Sequence, residues 1–397
     1  MISRYLSFKL ATLSKGFPAI YVTGPRQSGK TTLVKEFFKN HHYVSLENPN
    51  LLEFALRDPT GFLKANPAPC IFDEVQKAPQ LLSYLQELID ASPLPGSWIL
   101  TGSQNFILME RITQTLAGRS AILRLLPLSI SEILHQPFQE PVKRLTQIAS
   151  IPKPKDSLEK FIFKGCYPRL YTQKIDPQDW YASYDQSYVE RDVRDVLKIG
   201  NLTTFRNFVR LCAGRSGQLL NLSSLANDAG IAQPTAKSWI SILEASSLIY
   251  LLPGHHKNFS KRLVKSPKLY FLDTGLLSYL LKLRSAEDIP LHPLKGALFE
   301  TLVVSELVKL FTHAGQEPPL YFWRDHTGNE IDILIDLGKE LLPLEIKSSS
   351  QVSSDHFKTI RWWFNLKDNS QEQGIIFYGG ENSYLRENFI IQPWFQI

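Results

Sequence analysis

Residues 19–38 read AIYVTGPRQSGKTTLVKEFF. A β-branched and aromatic run, AIYVT, enters a glycine-bearing turn, and a helix-like run leaves it. Gly24, four further residues, then Gly29, Lys30 and Thr31 satisfy the phosphate-loop spacing G-x-x-x-x-G-K-[ST]. The chemistry needs these residue types in this order. Glycine lets successive backbone N–H groups turn inward on phosphate oxygens. Lys30 adds a positive charge at the outer phosphates, and the Thr31 hydroxyl reaches a Mg²⁺ ion. The helix that follows offers its N-terminal dipole to the same anion. This context predicts an ATP and Mg²⁺ site built on Gly24, Pro25, Arg26, Gln27, Ser28, Gly29, Lys30, Thr31 and Thr32.

Working outward, four more strand-like runs follow: HYVSLE (42–47), CIFDEVQ (70–76), SWILTGS (97–103) and SAILRLLPL (120–128). Helical stretches separate them. Five β runs alternating with helices predict a parallel sheet covered on both faces, with its ligand at the carboxyl ends of the strands. Asp73 stands where it can hold Mg²⁺, and Glu74 where it can polarise the attacking water. The stretch LTGSQN brings Thr101, Ser103 and Gln104 towards the outer phosphate. Ser103 is assigned to sensing it or orienting water, with Gln104 or Asn105 as alternatives. Arg119, just before the fifth run, is placed to protrude towards a neighbouring subunit and stabilise transition-state charge there.

The 397 residues are 43% hydrophobic and 21% charged, ordinary for a globular protein of two or three domains. No run approaches the ~20 apolar residues that span a bilayer, so no membrane association is expected. In the opening MISRYLSFKLATLSKG, Arg4, Lys9 and Lys15 interrupt Ile2, Leu6, Leu10 and Leu13. That spacing predicts an amphipathic helix and not a secretory signal. Cys70, Cys166 and Cys212 lie far apart, which predicts a disulfide-free cytoplasmic protein. Residues 201–270 hold nine bases and two acids, or +7 of a net +6, leaving about −1 for the rest. Such a basic block is the footprint expected of a nucleic-acid-binding module.

Within that block, a short helix carrying Leu225 and Ala226, Gly230 in a turn, and Pro234-Thr235 opening the next helix have helix-turn-helix spacing. Trp239, Ile240, Ile242 and Leu243 form the expected buried face. LIYLL (248–252) and KLYFLD (268–273) read as a hairpin whose basic loop is a wing. On DNA, Gln233, Thr235, Lys237 and Ser238 would meet base edges, while Lys257, Lys261, Arg262 and Lys265 would meet phosphate. The same module can instead pack against protein. Asp273 reads as a helix N-cap. Further on, Asp332 alternates with isoleucines in EIDILI (330–335), and Glu345 and Lys347 share one side of LEIK (344–347). A hairpin would set Asp332 beside Glu345, and a helix over KGALFETLVVSEL can present Glu300. Glu300, Asp332 and Glu345 would hold Mg²⁺ or Mn²⁺, with Lys347 beside the water.

Taken in order, YVTGPRQSGKTTL, IFDEVQ, LTGSQNF, LAGRSAILRLLPLS, GCYPRL, YVERDV, FLDTGLLSYL and EIDILI…LEIK resemble AAA+ ATPases over nearly the whole chain. More narrowly, they resemble bacterial and archaeal members ending in a nuclease-like domain. The resemblance implies the roles given to Lys30, Thr31, Asp73, Glu74 and Arg119. It has Gly where Cys166 stands, and it suggests Arg169 as a lid arginine. The C-terminal part resembles the PD-(D/E)XK nucleases, with Glu300, Asp332, Glu345 and Lys347 matching the helix acid, D and E-x-K. The expected architecture is α/β: an AAA+ P-loop core (1–135), a helical lid (136–202), a winged helix region (203–290) and a PD-(D/E)XK nuclease-like domain (291–397). The expected function is that of a homo-oligomeric ATPase acting on DNA, branched DNA in repair, recombination or defence included, with or without metal-dependent cleavage. The alternative is a nucleotide-driven switch or clamp that binds a protein partner and cuts nothing.

Overall fold

The structure, a computed structural model, describes residues 2–102, 114–148, 151–188, 202–255, 266–325, 327–366 and 373–397. The five expected strands form: β1 (Ala19–Thr23), β2 (His42–Ser45), β3 (Cys70–Asp73), β4 (Trp98–Thr101) and β5 (Ser120–Arg124). All pair in parallel, in the order β2-β3-β4-β1-β5. Every residue of β1, β3 and β4 is buried, as a sheet covered on both faces requires. Alternation divides the side chains between two layers. Ile20 and Val22 face helices Leu6–Leu13 and Lys30–Phe37, whose Leu6, Leu10, Leu33 and Val34 they meet. Tyr21, Phe72 and Leu100 face helix Leu81–Ala91 through Leu81, Leu82 and Leu85. The carboxyl ends of the strands thereby bring Thr23, Asp73, Thr101 and Arg124 to one edge.

Among the described residues, a second core draws on side chains from Leu126 to Ile397, and a smaller one packs Ile331, Leu334 and Ile376 against Phe357, Ile360 and Trp363. The second core includes helices Leu158–Lys164 and Pro177–Tyr188, where Trp180 stacks on Tyr184 with ring centroids 5.1 Å apart. Helices Leu202–Ala213, Leu222–Ala229 and Gln233–Ala245 come next, with Gly230 left-handed (φ 66°) at the turn between the last two. Three antiparallel strands accompany them: β6 (Gln218–Leu219), β7 (Ile249–Leu252) and β8 (Lys268–Phe271), in the order β6-β8-β7. Trp239, Ile240 and Leu243 are buried as expected, but Ile242 is only half-buried. Asp273 caps its helix by accepting from Leu276 N at 2.9 Å, and it also accepts from Cys166 N at 2.7 Å.

The C-terminal part is a long helix, Lys295–His313, against a six-stranded sheet. Its strands are β9 (Leu320–Arg324), β10 (Glu330–Asp336), β11 (Leu341–Lys347), β12 (Gly374–Tyr378), β13 (Tyr384–Arg386) and β14 (Phe389–Pro393), in the order β13-β14-β12-β11-β10-β9. The expected hairpin of β10 and β11 forms, with Ile333 opposite Leu344. Just beyond this pairing, Asp332 Oδ2 accepts from Ile346 N at 2.8 Å.

Every residue from Thr301 to His313 is buried, polar ones included. Buried polar groups need partners. Glu306 takes Lys309 Nζ at 2.7 Å and Ile130 N at 2.7 Å. His313 Nδ1 lies 3.5 Å from Glu132 Oε2. Burial pushes the His313 imidazole down to about 4; Glu132 pulls it up, while Arg4 and Lys309 push it further down. The unfolded chain gains this proton near pH 6.5 and the folded chain only near 4, so stability is lost as pH falls through that window. The group can account for at most about 3 kcal/mol of loss. Urea unfolding at a series of pH values should show the decline, and His313→Gln should flatten it between pH 6.5 and 4.

Candidate functional site

The loop after β1 turns at two glycines in left-handed or neighbouring space, Gly24 (φ 142°) and Gly29 (φ 97°). A Cβ on Gly24 would collide with the Leu125 carbonyl, so the chain leaving β5 can pass this close only because position 24 has no side chain. Lys30 opens helix Lys30–Phe37, and its Nζ donates to Gly24 O at 3.0 Å and Pro25 O at 2.9 Å. The ammonium is therefore held across the loop. Thr31 Oγ1 donates to Asp73 Oδ2 at 3.0 Å. Tyr43 OH donates to the same oxygen at 2.7 Å, and Thr101 Oγ1 donates to Oδ1. Thr101, expected at the outer phosphate, is thus turned to the Asp73 carboxylate.

Glu74 follows with φ 60°, a conformation costing a non-glycine residue about 1–3 kcal/mol and concentrated at functional sites. Its carboxyl accepts from Gln76. Burial raises its proton affinity and the Lys30 ammonium opposes this. A raised carboxyl suits a general base working near neutral pH. A cleft of about 510 Å³ is lined by Arg26, Gln27, Lys30 and Glu74 together with Pro168, Arg169 and Tyr184. Arg169 is thereby brought to the loop. Cation, loop and helix terminus together suit a triphosphate, and the adjacent Thr31 and Asp73 oxygens suit Mg²⁺.

Ser103, Gln104 and Asn105 lie outside the described residues. Arg119 does not reach the cleft of its own chain. It pairs with Asp90 (Nε–Oδ1 2.5 Å) before the amino end of β5, whereas the loop follows the carboxyl end of β1. The parallel register of Ala19 with Ser120 puts the two on opposite edges of the sheet. Three residues escaped the sequence reading. Tyr43 holds Asp73, Arg4 reaches Ser28 O at 2.7 Å, and Arg124 donates to Ser247 Oγ at 2.7 Å. Tyr43 sits in a recognisable strand, but no local pattern announces a contact to the neighbouring strand's end.

A second cluster of charged groups lies in the C-terminal part. Lys347 Nζ lies 2.5 Å from Glu345 Oε1 and 3.9 Å from Asp332 Oδ2, which also accepts from Ile346 N at 2.8 Å. Glu300 is present, but it accepts from Tyr270 OH at 2.5 Å and faces Lys268 Nζ at 3.4 Å. Lys268 Nζ is also 2.5 Å from Glu330. Among the described residues, no group of three or more His, Cys, Asp or Glu is arranged to hold a metal ion. Glu300, Asp332 and Glu345 nevertheless lie close enough to raise one another's proton affinity, with Lys268 and Lys347 among them. Glu345 Oε2 is buried without a hydrogen-bond partner. Burial, then the Asp332 carboxylate, push the Glu345 carboxyl up to about 8.

The basic block also shrinks. Lys268, counted in it, is buried beneath the acids, and Arg215 pairs with Asp228. Gln233, Lys237 and Ser238 are exposed at the start of helix Gln233–Ala245, and Thr235 is half-buried. Lys257, Lys261, Arg262 and Lys265 lie outside the described residues.

A parallel sheet with this loop, lysine and strand-end carboxylates has the arrangement of a P-loop nucleotide-binding domain. Residues 16–134 match the family described as an AAA domain. Residues 155–287 and 295–396 match two domains of unknown function (DUF8612 and DUF4143), whose descriptions assign neither fold nor activity. The uncharacterized proteins Mb2031c of Mycobacterium bovis and Rv2008c of Mycobacterium tuberculosis are each 27% identical over 339 residues, covering 85% of this chain and 71% of theirs. Among solved structures, a Walker-type ATPase of Pyrococcus abyssi is similar at 14% identity and a TM-score of 0.42, over 70% of this chain and 96% of that one. Drosophila ORC bound to DNA is similar at 12% identity and a TM-score of 0.27, over 66% and 89%. No helix among the described residues is long and apolar enough to cross a membrane.

Removing the Tyr43 hydroxyl leaves Asp73 with Thr31 and Thr101 but frees it to rotate. Tyr43→Phe should stay folded and need more Mg²⁺ for half-maximal ATP turnover, by about fivefold for one hydrogen bond of ~1 kcal/mol. A magnesium titration of the hydrolysis rate checks this.

Proposed function

We propose that the chain is a cytoplasmic ATPase that hydrolyses ATP in the cleft at the ends of β1 and β3 and uses the cycle to change how its middle region engages DNA. The observation that carries the reading is one hydrogen-bonded set, Lys30 across the loop and Thr31 on Asp73, with Glu74 beside it. The loop amides, Lys30 and Arg26 bind the phosphates. Thr31 and Asp73 hold Mg²⁺, which neutralises phosphate charge when bound. Glu74 takes the proton of the attacking water, and Arg169, which lines the same cleft, contacts the nucleotide. Arg119 serves only a neighbouring copy in a homo-oligomer, after leaving Asp90.

The helices at 222–245 with β7 and β8 are read as a winged helix. Exposed Gln233, Lys237 and Ser238, with half-buried Thr235, support DNA contact there. The C-terminal part is read as PD-(D/E)XK-like in fold and as a clamp in function, because Lys268, a cation outside the expected set, engages Glu300 and Glu330. A protein-bound switch is the other reading.

Lys30→Ala should abolish ATP turnover, and Glu74→Gln should retain ATP binding while losing at least about a hundredfold in rate. Turnover should rise on adding duplex or branched DNA. Indifference to all DNA, with a protein co-purifying and stimulating instead, would favour the switch.

Supercoiled, nicked and branched DNA should survive incubation with the protein in Mg²⁺ or Mn²⁺. Cleavage that disappears in Asp332→Ala would replace the clamp with a nuclease.

A further inference from the structure

The match to an AAA domain starts at residue 16, yet residues before it hold the P-loop from behind. Arg4 is 8% exposed, and its three guanidinium nitrogens serve three different segments. NH1 donates to Ser28 O at 2.7 Å. NH2 donates to Leu126 O at 2.6 Å, in the chain leaving β5. Nε donates to Glu132 Oε1 at 3.2 Å. Glu132 also accepts from Tyr5 N at 2.7 Å and Ser129 N at 2.9 Å. The guanidinium is therefore fixed on one side by a saturated carboxylate and on the other by the loop.

The consequence follows from peptide geometry. The Ser28 carbonyl and the Gly29 N–H belong to one planar trans peptide and point in opposite directions. Fixing the carbonyl towards Arg4 fixes the N–H away from it. The two sides of the loop are distinct. Arg4 lines a cavity with Ser3, Ser7 and Leu33, whereas Gly29, Lys30 and Thr31 line the cleft in front. A Cβ on Gly29 would lie 3.5 Å from Arg4 NH1, so the guanidinium sits directly against the turn.

We infer that Arg4 is a positioning residue for nucleotide binding: by holding the Ser28 carbonyl it aims the Gly29 N–H into the anion cradle. This rests on the ATP reading above. The planar fork of arginine suits the task, because it donates in several fixed directions at once, which the point charge of lysine does not.

Arg4→Lys keeps a cation opposite Glu132 but cannot serve all three acceptors. In the full chain we expect it to fold, to bind ATP and ADP about tenfold more weakly, and to raise KM with kcat little changed. Hydrogen exchange over residues 24–31, measured without nucleotide, should be faster than in the wild type. Should Arg4→Lys fail to fold, Arg4→Gln combined with Glu132→Gln removes both buried charges and takes the same measurements. A folded variant with wild-type affinity, KM and exchange would reduce Arg4 to a structural tie and overturn the proposal. Wild-type protein that binds no nucleotide would sink the ATPase reading instead. The exchange comparison would then decide the role of Arg4 in loop geometry by itself, unchanged exchange overturning it.

Discussion

The charge on Glu132 has no access to water, so protein groups must replace the whole of its hydration. Burial alone would push its carboxyl up. The Arg4 guanidinium and two backbone N–H groups hold it below the usual carboxylate range, and the neutral His313 ring packs against it with Nδ1 at 3.5 Å. Each of those groups comes from a different place in the chain. Arg4 and Tyr5 belong to the N-terminal segment, Ser129 to the turn after β5, and His313 to the far end of the long helix. One carboxylate thereby sets where the first residues, the nucleotide-binding sheet and the C-terminal helix meet. Removing one partner would leave a buried charge uncompensated, which costs about 3–5 kcal/mol in comparable cases.

The second cluster solves a similar problem with a different result. Glu300, Glu330, Asp332 and Glu345 come together through a helix and a hairpin, and cations are needed to keep so many carboxyl groups close. Lys347 comes from the same strand as Glu345. Lys268 comes from β8, in the preceding region, and is itself buried. Attraction between Lys268 and the acids joins the middle region to the C-terminal one at the point where a metal set was expected. The side chains that suggest a metal site in sequence also lie on this seam.

Much of this was legible in the sequence, and the reason is locality. The five strands, the glycine turns and the Asp73 strand end are each specified within a few residues, and all appear. The β10–β11 hairpin was legible because alternation fixes facing and register together. The failures involve long separations. Arg4 looked like one charge on an amphipathic helix, because its partners Ser28, Leu126 and Glu132 are distant in sequence. Lys268 looked like part of a basic face, because Glu300 and Glu330 lie beyond the next helix. Burial of a charge is a property of assembled segments, and alternation or composition in one segment cannot report it.

The seams between the matched segments are stitched by interior atoms. Ile130 N is bonded to Glu306, Ser131 Oγ to the Ile397 carbonyl, and Arg124 to Ser247. Modular proteins usually trade parts along boundaries that few contacts cross. Here an exchange of residues 16–134 between related chains would carry across half of each bond and leave the other half behind. Such a swap keeps the backbone N–H at 130, but it would need a side-chain donor at 131 for the Ile397 carbonyl and one at 124 for Ser247 to arrive with it.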